Sequence, residues 1–250
     1  EDEERLLVAN ELACALSGMG KFSEAAQMHH ETLEVRRRVF GPEHPKTLIT
    51  ASNLAGALLP QGEFSEAAGI YHEVLEVRRR VLGPEHPSTL ITACNRAGAL
   101  LDLGELSEAA RIYHETLEVE RRVLGPEHPS TLTTARNWAG ALQQQGEVSE
   151  AARTCHEAVE AERRVRGAEH PSTLTTACNR AGALLDLGEL SEAARISHEV
   201  LEIERRVVGA EHPSTLSTAC IWAGALLELG KLSEAARIQR EAVEVQRRVF

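Results

Sequence analysis

The chain has 250 residues, of which 42% are hydrophobic and only 3% are aromatic. This apolar content is sufficient for a buried core, and the abundance of alanine, leucine, glutamate and arginine favours helices. The formal net charge of −11 argues against the basic surface that a general nucleic-acid binder needs, so we expect no nucleic-acid partner.

The cysteine content and the hydropathy pattern indicate the compartment. The five cysteines are odd in number and form no C-x-x-C pair, which predicts free thiols in a reducing environment. No apolar run approaches the ~18 residues of a membrane span, and the acidic start at residues 1–4 is unlike a signal peptide. We therefore expect a cytoplasmic protein without a membrane partner.

A short sequence recurs at a fixed interval along the whole chain. Gly-Pro-Glu-His-Pro occupies 41–45, 83–87 and 125–129, and Gly-Ala-Glu-His-Pro occupies 167–171 and 209–213, each one 42 residues after the last. Segments 83–124 and 167–208 are identical at 36 of 42 positions. Such a period predicts a repeat architecture, here one domain of six repeats at about 1–40, 41–82, 83–124, 125–166, 167–208 and 209–250.

Each repeat carries the pattern of two helices. Apolar residues three and four apart predict a first helix over 47–59 and a second over 65–82. Gly62 is the expected left-handed cap between them, Ser65 is the expected N-cap of the second helix, and His86-Pro87 is expected to start the next repeat. Glutamates are predicted to pair with arginines four residues on, as Glu34–Arg38, Glu76–Arg80, Glu118–Arg122, Glu160–Arg164, Glu202–Arg206 and Glu244–Arg248.

Six copies give about twelve helices in antiparallel pairs. A hairpin this short cannot bury its own apolar face, so neighbouring hairpins must stack. The residues resemble a tetratricopeptide repeat array of the longer type found in kinesin light chains. The resemblance covers the whole chain and rests on Asn53-Leu54-Ala55, Gly62, Ser65-Glu66-Ala67-Ala68, Leu75 and the linker at 82–87.

The resemblance implies a fold and a general function. It implies an all-α, right-handed solenoid in which the first helix of each pair lines a concave groove. Such grooves bind peptide segments or partner domains and carry no chemistry of their own. The sequence departs from the family where aromatic residues are common, because Ala51 and its equivalents stand early in the first helix and Cys155 and Ser197 replace the tyrosine seen at 71 and 113.

An asparagine recurs at one position of the first helices, and the resemblance places this position on the groove. It is present in the four middle repeats as Asn53, Asn95, Asn137 and Asn179. A side-chain amide both donates and accepts hydrogen bonds, which suits the backbone of an extended peptide. The alternative is that the amides cap or bridge neighbouring helices.

The next position alternates between two residue types that are common at binding hot spots. It reads Arg96, Trp138, Arg180 and Trp222, and Arg136 adds a further charge nearby. One interpretation is a guanidinium and indole surface for the partner. The other is that a two-repeat block was duplicated, which produces the alternation without any function.

A third recurring position is glycine in the middle of the first helices. Because such a glycine costs about 1 kcal/mol relative to alanine, five of them predict a close approach to the backbone, by the adjacent helix or by a ligand. They are Gly56, Gly98, Gly140, Gly182 and Gly224.

The histidines and cysteines do not predict a metal site. Equivalent positions in stacked repeats lie about 10 Å apart, too far for one zinc ion with bonds of about 2 Å. The linker histidines at 44, 86, 128, 170 and 212 are instead expected to terminate or cap a turn. Because no catalytic constellation stands outside the repeats, we expect no catalytic residue, no metal and no cofactor.

The leading prediction is a non-enzymatic interaction scaffold that binds a peptide or a segment of a partner protein. Two alternatives remain: a sensor arm of a larger signalling protein such as a nucleotide-switch ATPase, and an element that assembles end to end. The terminal repeats have no polar capping helix, so the sequence predicts exposed apolar end faces and is expected to be a fragment of a longer array.

Overall fold

In the computed structural model, described for the backbone of residues 2–249 and the side chains of residues 5–247, the chain is helical throughout. The described part contains twelve α-helices and no β-strand. This confirms the predicted all-α repeat array. The helices are α1 Asp2–Gly18, α2 Phe22–Phe40, α3 Pro45–Leu58, α4 Phe64–Leu82, α5 Pro87–Leu103, α6 Leu106–Val123, α7 Pro129–Gln145, α8 Val148–Arg166, α9 Pro171–Asp186, α10 Leu190–Val207, α11 Pro213–Glu228 and α12 Leu232–Val249.

The helices fall into two compact units, Glu1–Val123 with α1 to α6 and Leu124–Phe250 with α7 to α12. Odd-numbered helices are the first helices of their repeats and even-numbered helices are the second. In each unit a helix packs against the helices that precede and follow it in sequence. The core of each unit therefore consists of layers formed by successive hairpins.

Alanine at two repeat positions allows the helices to approach closely. Both positions are 0–1% exposed in every repeat. A methyl side chain keeps helix propensity high and leaves room for the neighbouring backbone. The residues are Ala13, Ala55, Ala97, Ala139, Ala181 and Ala223 in the first helices, and Ala25, Ala67, Ala109, Ala151, Ala193 and Ala235 in the second.

The linker between repeats is fixed by three residue types. Gly83 adopts a φ of +93°, which a side chain would strain. His86 is the N-cap of α5, where its Nδ1 accepts a hydrogen bond from the Ser88 N–H at 3.1 Å. Thr89 Oγ1 donates to the Gly83 carbonyl at 2.9 Å. The expected capping role of the linker histidines is thereby confirmed, and the same cap recurs at 44, 128, 170 and 212.

The turn inside each hairpin differs slightly from the prediction. Gly62 is left-handed as expected, with a φ of +81°. The expected N-cap Ser65 is wrong, because α4 already begins at Phe64 and Glu63 holds the N-cap position without a side-chain hydrogen bond. The first helix of that repeat also ends early, at Leu58, and a 3-10 turn spans Leu59–Gln61.

The predicted i,i+4 ion pairs are replaced by two other sets. Glu76 pairs with Arg79 three residues on, at 3.3 Å, and the same register holds at Glu34–Arg37, Glu118–Arg121, Glu160–Arg163 and Glu202–Arg205. Arg80 instead reaches Glu43 in the preceding linker. Equivalent linker pairs are Arg122–Glu85, Arg164–Glu127 and Arg206–Glu169. The predicted partner Arg248 lies outside the described side chains.

Candidate functional site

The recurring asparagines project from the middle of α3, α5, α7 and α9. Asn95 is exposed, and Asn53, Asn137 and Asn179 are half-buried. Asn53 Nδ2 donates a weak hydrogen bond to Cys14 Sγ at 3.5 Å, so one amide does bridge two helices. Within the described chain the other three amides form no hydrogen bond. Their donors and acceptors are therefore available.

A row of aliphatic side chains runs beside the asparagines of the first unit. Leu7, Ile49 and Ile91 share one repeat position and are 50%, 47% and 53% exposed. We call these three residues the aliphatic row. In the second unit the same position holds Thr133, Thr175 and Ser217, and the two threonine hydroxyls donate to the carbonyls four residues before them. The two units therefore present different chemistry at equivalent places.

The first unit also contains a cavity of about 520 Å³. Its rim includes Ile49, Ile91, Asn53 and Asn95 from the first helices α3 and α5. The buried second-helix residues His29, Tyr71 and Arg78 also line it, and we call this side its floor. The lining residues are Cys14, Ser17, His29, Ile49, Ser52, Asn53, Gly56, Ala57, Tyr71, Arg78, Ser88, Ile91 and Asn95.

Tyr71 and His29 occupy the same repeat position on the cavity floor. The Tyr71 hydroxyl lies 3.4 Å from the place where a β-carbon on Gly56 would be, and burial raises the pKa of the phenol. Tyr71 thus remains a neutral hydrogen-bond donor. Burial, followed by the charge of Arg36, lowers the pKa of His29, and its buried Nδ1 has no hydrogen-bond partner.

Two buried arginines lie beneath the first unit's surface. Arg36 Nη1 donates to the Lys46 carbonyl and to Thr50 Oγ1, and its Nη2 donates to the Leu6 carbonyl. Arg78 Nη1 repeats the first two bonds, to the Ser88 carbonyl at 3.0 Å and to Thr92 Oγ1. No described carboxylate forms an ion pair with Arg78, and its pKa is lowered by burial alone.

The later repeats reverse the charge at this buried position. Glu120, Glu162 and Glu204 replace the arginines and are 1–2% exposed. Each has an Oε2 atom that is cut off from solvent and has no hydrogen-bond partner. Sequence reasoning missed the whole set, because an arginine or glutamate within a charged stretch of an amphipathic helix is ordinarily a surface residue. The one signal in the sequence is that this position changes sign along the chain, from arginine in the first two repeats to glutamate in the next three.

The predicted tryptophans lie deeper than the asparagines, whereas the predicted arginines are half-buried. Arg96 and Arg180 form ion pairs with Glu108 and Glu192 of the same repeats, at 3.7 and 3.5 Å. Trp138 is buried, and its equivalent Trp222 belongs to a core cluster with Leu201, Ala219, Ala223, Leu226, Ala235 and Ile238. Arg136 is half-buried, at the repeat position that Ser52 and Cys94 also occupy.

The glycine position is approached by side chains rather than by a backbone. Tyrosine hydroxyls of the paired helices reach Gly56 and Gly98, and the Leu185 side chain comes within 3.3 Å of the β-carbon place on Gly224. Gly182 has looser neighbours in Gln143 and Ile221. At Gly140 nothing lies within 4 Å, so the prediction of a close approach is wrong there.

The thiols and histidines are separated by the fold. Burial raises the pKa of Cys155 to about 12 and also raises that of Cys178, whose Sγ accepts a hydrogen bond from Thr218 at 3.2 Å. Within the described chain none of the five cysteines forms a disulfide. The described residues contain no group of three or more His, Cys, Asp and Glu that could hold a metal ion. None of the described helices is both long and apolar enough to cross a membrane.

Comparison with known families agrees with this architecture. Models of the tetratricopeptide repeat match residues 5–46, 49–119, 90–154, 131–203 and 176–248. Because these matches cover most of the sequence, the chain belongs to the tetratricopeptide repeat family. No curated protein matches the chain.

Several solved structures share the fold. A protein of nearly identical TPR-like repeats, from a putative kinesin light chain of Podospora anserina, is 28% identical, with a TM-score of 0.72 over 83% of this chain and 98% of that one. BtubC from P. vanneervenii is 18% identical, with a TM-score of 0.76 over 91% and 92%. The quorum sensor NprR in complex with its cognate peptide NprX is 13% identical, with a TM-score of 0.69 over 98% and 67%.

Proposed function

We propose that the chain binds an extended segment of a partner protein along the surface of its first helices. The amides hold the backbone of the bound segment within each unit, Asn53 and Asn95 in the first and Asn137 and Asn179 in the second. The observation that carries the proposal is that three of these four amides have no hydrogen-bond partner in the described chain although they sit in the middle of helices. Mid-helix asparagine is unfavourable for helix stability, and a peptide backbone would use both its donor and its acceptor.

The other predicted contact residues have graded roles in this proposal. Arg136 contacts the segment directly, since it shares the repeat position of Ser52 and Cys94, which flank the neighbouring asparagines. Arg96 and Arg180 act from below the surface, where they are already paired with Glu108 and Glu192. Trp138 supports Asn137 through packing, because its ring is buried.

The NprR structure supports the choice of a peptide as ligand, since that protein is described in complex with one. Its likeness to this chain is one of fold, so the residues must be tested here. A variant with Asn95→Ala, Asn137→Ala and Asn179→Ala removes the three free amides. Peptides selected on the wild-type protein from a displayed random library should bind it about ten-fold more weakly or worse, at ~0.5–1.5 kcal/mol per lost hydrogen bond.

A matched variant on the second helices controls for changes in surface or stability. Glu118→Ala, Glu160→Ala and Glu202→Ala alter the same three repeats outside the candidate surface, at side chains that are 56%, 45% and 59% exposed. These changes should leave peptide affinity within about two-fold, since exposed ion pairs contribute little. Equal affinity of the asparagine variant and the wild type would overturn the proposed role of the amides.

The sensor-arm alternative places the same surface in a larger protein. A signal transduction ATPase with a tetratricopeptide repeat sensor, from Pyrococcus horikoshii, shares the fold at a TM-score of 0.74 and 13% identity, over 97% of this chain but 36% of that one. In that setting the bound segment would be the signal. The peptide selection tests the recognition step common to both proposals.

Exposed apolar residues in α1 and α12 support a second candidate function, end-to-end association of two chains. Val243 of α12 is 45% exposed, whereas its equivalent Leu201 is fully buried by α11 and α12. Val8 of α1 is exposed where the equivalent Thr50 is buried. Light scattering over a hundred-fold concentration range should show mass growth that Val243→Asp abolishes. A constant monomer mass in the wild type would contradict the association.

A further inference from the structure

We propose that the cavity of the first unit receives a carboxylate side chain from the bound segment, against the guanidinium of Arg78, while flanking apolar residues of the segment pack on Ile49 and Ile91. This inference rests on the proposed function, because it names the chemistry that the first-helix surface recognises. It assigns the occupant as an Asp or Glu inside an extended chain.

Arg78 is a buried cation without a counter-charge. It is 8% exposed, and buried charges in proteins are nearly always paired. Its Nη1 is used by the Ser88 carbonyl and Thr92 Oγ1, yet Nε and Nη2 have no partner in the described chain. These two atoms of Arg78 are not cut off from solvent, whereas Nε of Arg36 is both buried and without a hydrogen-bond partner. The unused side of the Arg78 guanidinium therefore remains accessible to solvent, and Arg78 lines the cavity.

The remainder of the cavity wall supplies donors and no acid. The chain has 38 acidic residues, but none lines this cavity. Within the described chain the Tyr71 hydroxyl and the Asn95 amide make no hydrogen bond, and both lie on the wall. The first turn of α5, which Arg78 contacts, has no acidic residue, and the positive end of the helix dipole favours a nearby anion. A carboxylate would satisfy this arrangement through charge-assisted hydrogen bonds.

The aliphatic row determines which residues of the bound segment should flank its acidic residue. Ile49 and Ile91 stand on first helices of consecutive repeats, and packed helices are about 10 Å apart. Three residues of an extended or polyproline II chain span about the same distance. The segment should therefore carry apolar side chains about three residues apart, with the acidic residue between them. An α-helical ligand fits less well, since its backbone has no free groups for the asparagine amides.

The equivalent positions of other repeats provide a substitution that the scaffold already accommodates. Glu120, Glu162 and Glu204 stand where Arg78 stands, within second helices of the same length or one residue shorter. Arg78→Glu reverses the charge at the cavity floor with a side chain used at that position three times in the chain. Arg36→Glu is the matched control, because Arg36 occupies the same position one repeat earlier and does not line the cavity.

The experiment selects peptides from a random library displayed with their carboxyl ends fused, so that side-chain carboxylates are the only ones available. Peptides selected on the wild-type protein should be enriched in one Asp or Glu flanked by Leu, Ile or Val. Arg78→Glu should weaken their binding about 30-fold or more, as loss of a buried charge partner does. Arg36→Glu should change it less than three-fold, and circular dichroism should show that both variants are helical.

A milder variant keeps the test valid if Arg78→Glu loses its fold. Tyr71→Phe removes one hydroxyl and retains the ring, and it should weaken the acidic peptides several-fold. Their Asp-to-Asn or Glu-to-Gln analogues should be weakened less, because a neutral amide oxygen accepts a weaker hydrogen bond than a carboxylate. Selected peptides without an acidic position, or equal binding to wild type and both cavity variants, would overturn the carboxylate proposal and leave the backbone-holding function intact. Failure to select any peptide would overturn both.

Discussion

At the scale of single residues, burial decides which side chains are chemically active. Cys155 stands where Tyr71 and Tyr113 stand in earlier repeats, and its smaller thiol is buried in the second unit. A thiolate there would lose its hydration, which is why the pKa rises to about 12. Cys14 and Cys220 are exposed instead. Cys94, Cys178 and Cys220 share one repeat position, yet Cys178 is buried and Cys220 is exposed, so a recurring position does not define one kind of thiol.

The raised pKa of Cys155 predicts a loss of stability at alkaline pH. The folded-state pKa lies above the unfolded value of about 8.5, so the contribution is fully present below that pH and is lost as pH rises towards 12. Between pH 9 and 10 the free energy of unfolding should fall by about 1 kcal/mol more in the wild type than in Cys155→Ala. Urea denaturation at both pH values measures this. Cys14→Ala should retain the wild-type dependence, and a parallel decline in all three proteins would contradict the assignment.

Individual residues also show where sequence reasoning reached its limit. The asparagine position could be singled out as a candidate because it repeats and because asparagine is unusual within helices. Arg78 could not, since it lies in a run of three arginines of which Arg79 and Arg80 are exposed. Which of three adjacent charged residues turns inward depends on helix phase to within one residue. The cavity is also lined by His29 and Tyr71, which occupy one repeat position but belong to different residue types, so no recurring residue marked that position.

At the scale of the helices, the linker histidine acts as a cap. His170 Nδ1 accepts a hydrogen bond from the Ser172 N–H at 3.2 Å at the start of α9, and Pro171 occupies the first helical turn. Histidine is an uncommon N-cap compared with Ser, Thr, Asp and Asn. Its use here follows from the extended conformation of the residue before a proline, which aims the imidazole at the free N–H groups.

Removal of this cap should destabilise the helix pair. His170→Ala should lower the free energy of unfolding by about 1 kcal/mol, and His170→Asn should recover most of it, because asparagine is a strong N-cap. Chemical denaturation followed by circular dichroism provides the measurement. His156→Ala, at an exposed position of α8, serves as the control and should be nearly neutral. If the asparagine variant is as unstable as the alanine variant, the capping interpretation fails.

The helix boundaries show why the repeat period and the apolar spacing predicted the helices correctly, whereas the N-cap and ion-pair predictions were wrong. The apolar spacing and the glycines defined every helix, since both are tied to backbone geometry. The prediction of Ser65 as N-cap was wrong because α4 already starts at Phe64, two residues after Gly62, so that Ser65 lies inside the first turn. The ion-pair register was wrong for a similar reason: Arg80 and its equivalents can reach a glutamate of the preceding linker, and that residue is distant in sequence.

At the scale of the whole molecule, the repeats are exchangeable in some places and distinct in others. The pair α5–α6 and the pair α9–α10 share their arginine–glutamate contacts, such as Arg111 with Glu108 and Glu115, and Arg195 with Glu192 and Glu199. Helices α5 and α9 differ only at Ile91 and Thr175 over residues 87–102 and 171–186. An interface made by α5 can therefore be made by α9.

Deletion of residues 83–166, two 42-residue periods, should leave a folded four-repeat protein. The cut joins Leu82 to Gly167, so α9 follows α4 in the place of α5 with nearly the same residues. Ellipticity per residue should match that of the wild type, with one cooperative unfolding transition. Deletion of residues 83–156 is the control, since it joins α4 to the second half of α8 and should give an unstable or aggregated product. A poorly helical 83–166 deletion would refute exchangeability.

The matching ion pairs and helices of α5–α6 and α9–α10 have a consequence for the gene. Two nearly identical stretches in one reading frame invite unequal recombination, and a crossover between them removes or adds two whole repeats without disturbing a helix boundary. Natural variants of different length would then be viable proteins. A residue confined to one repeat, such as His29, marks the part of the chain that such exchanges have not replaced.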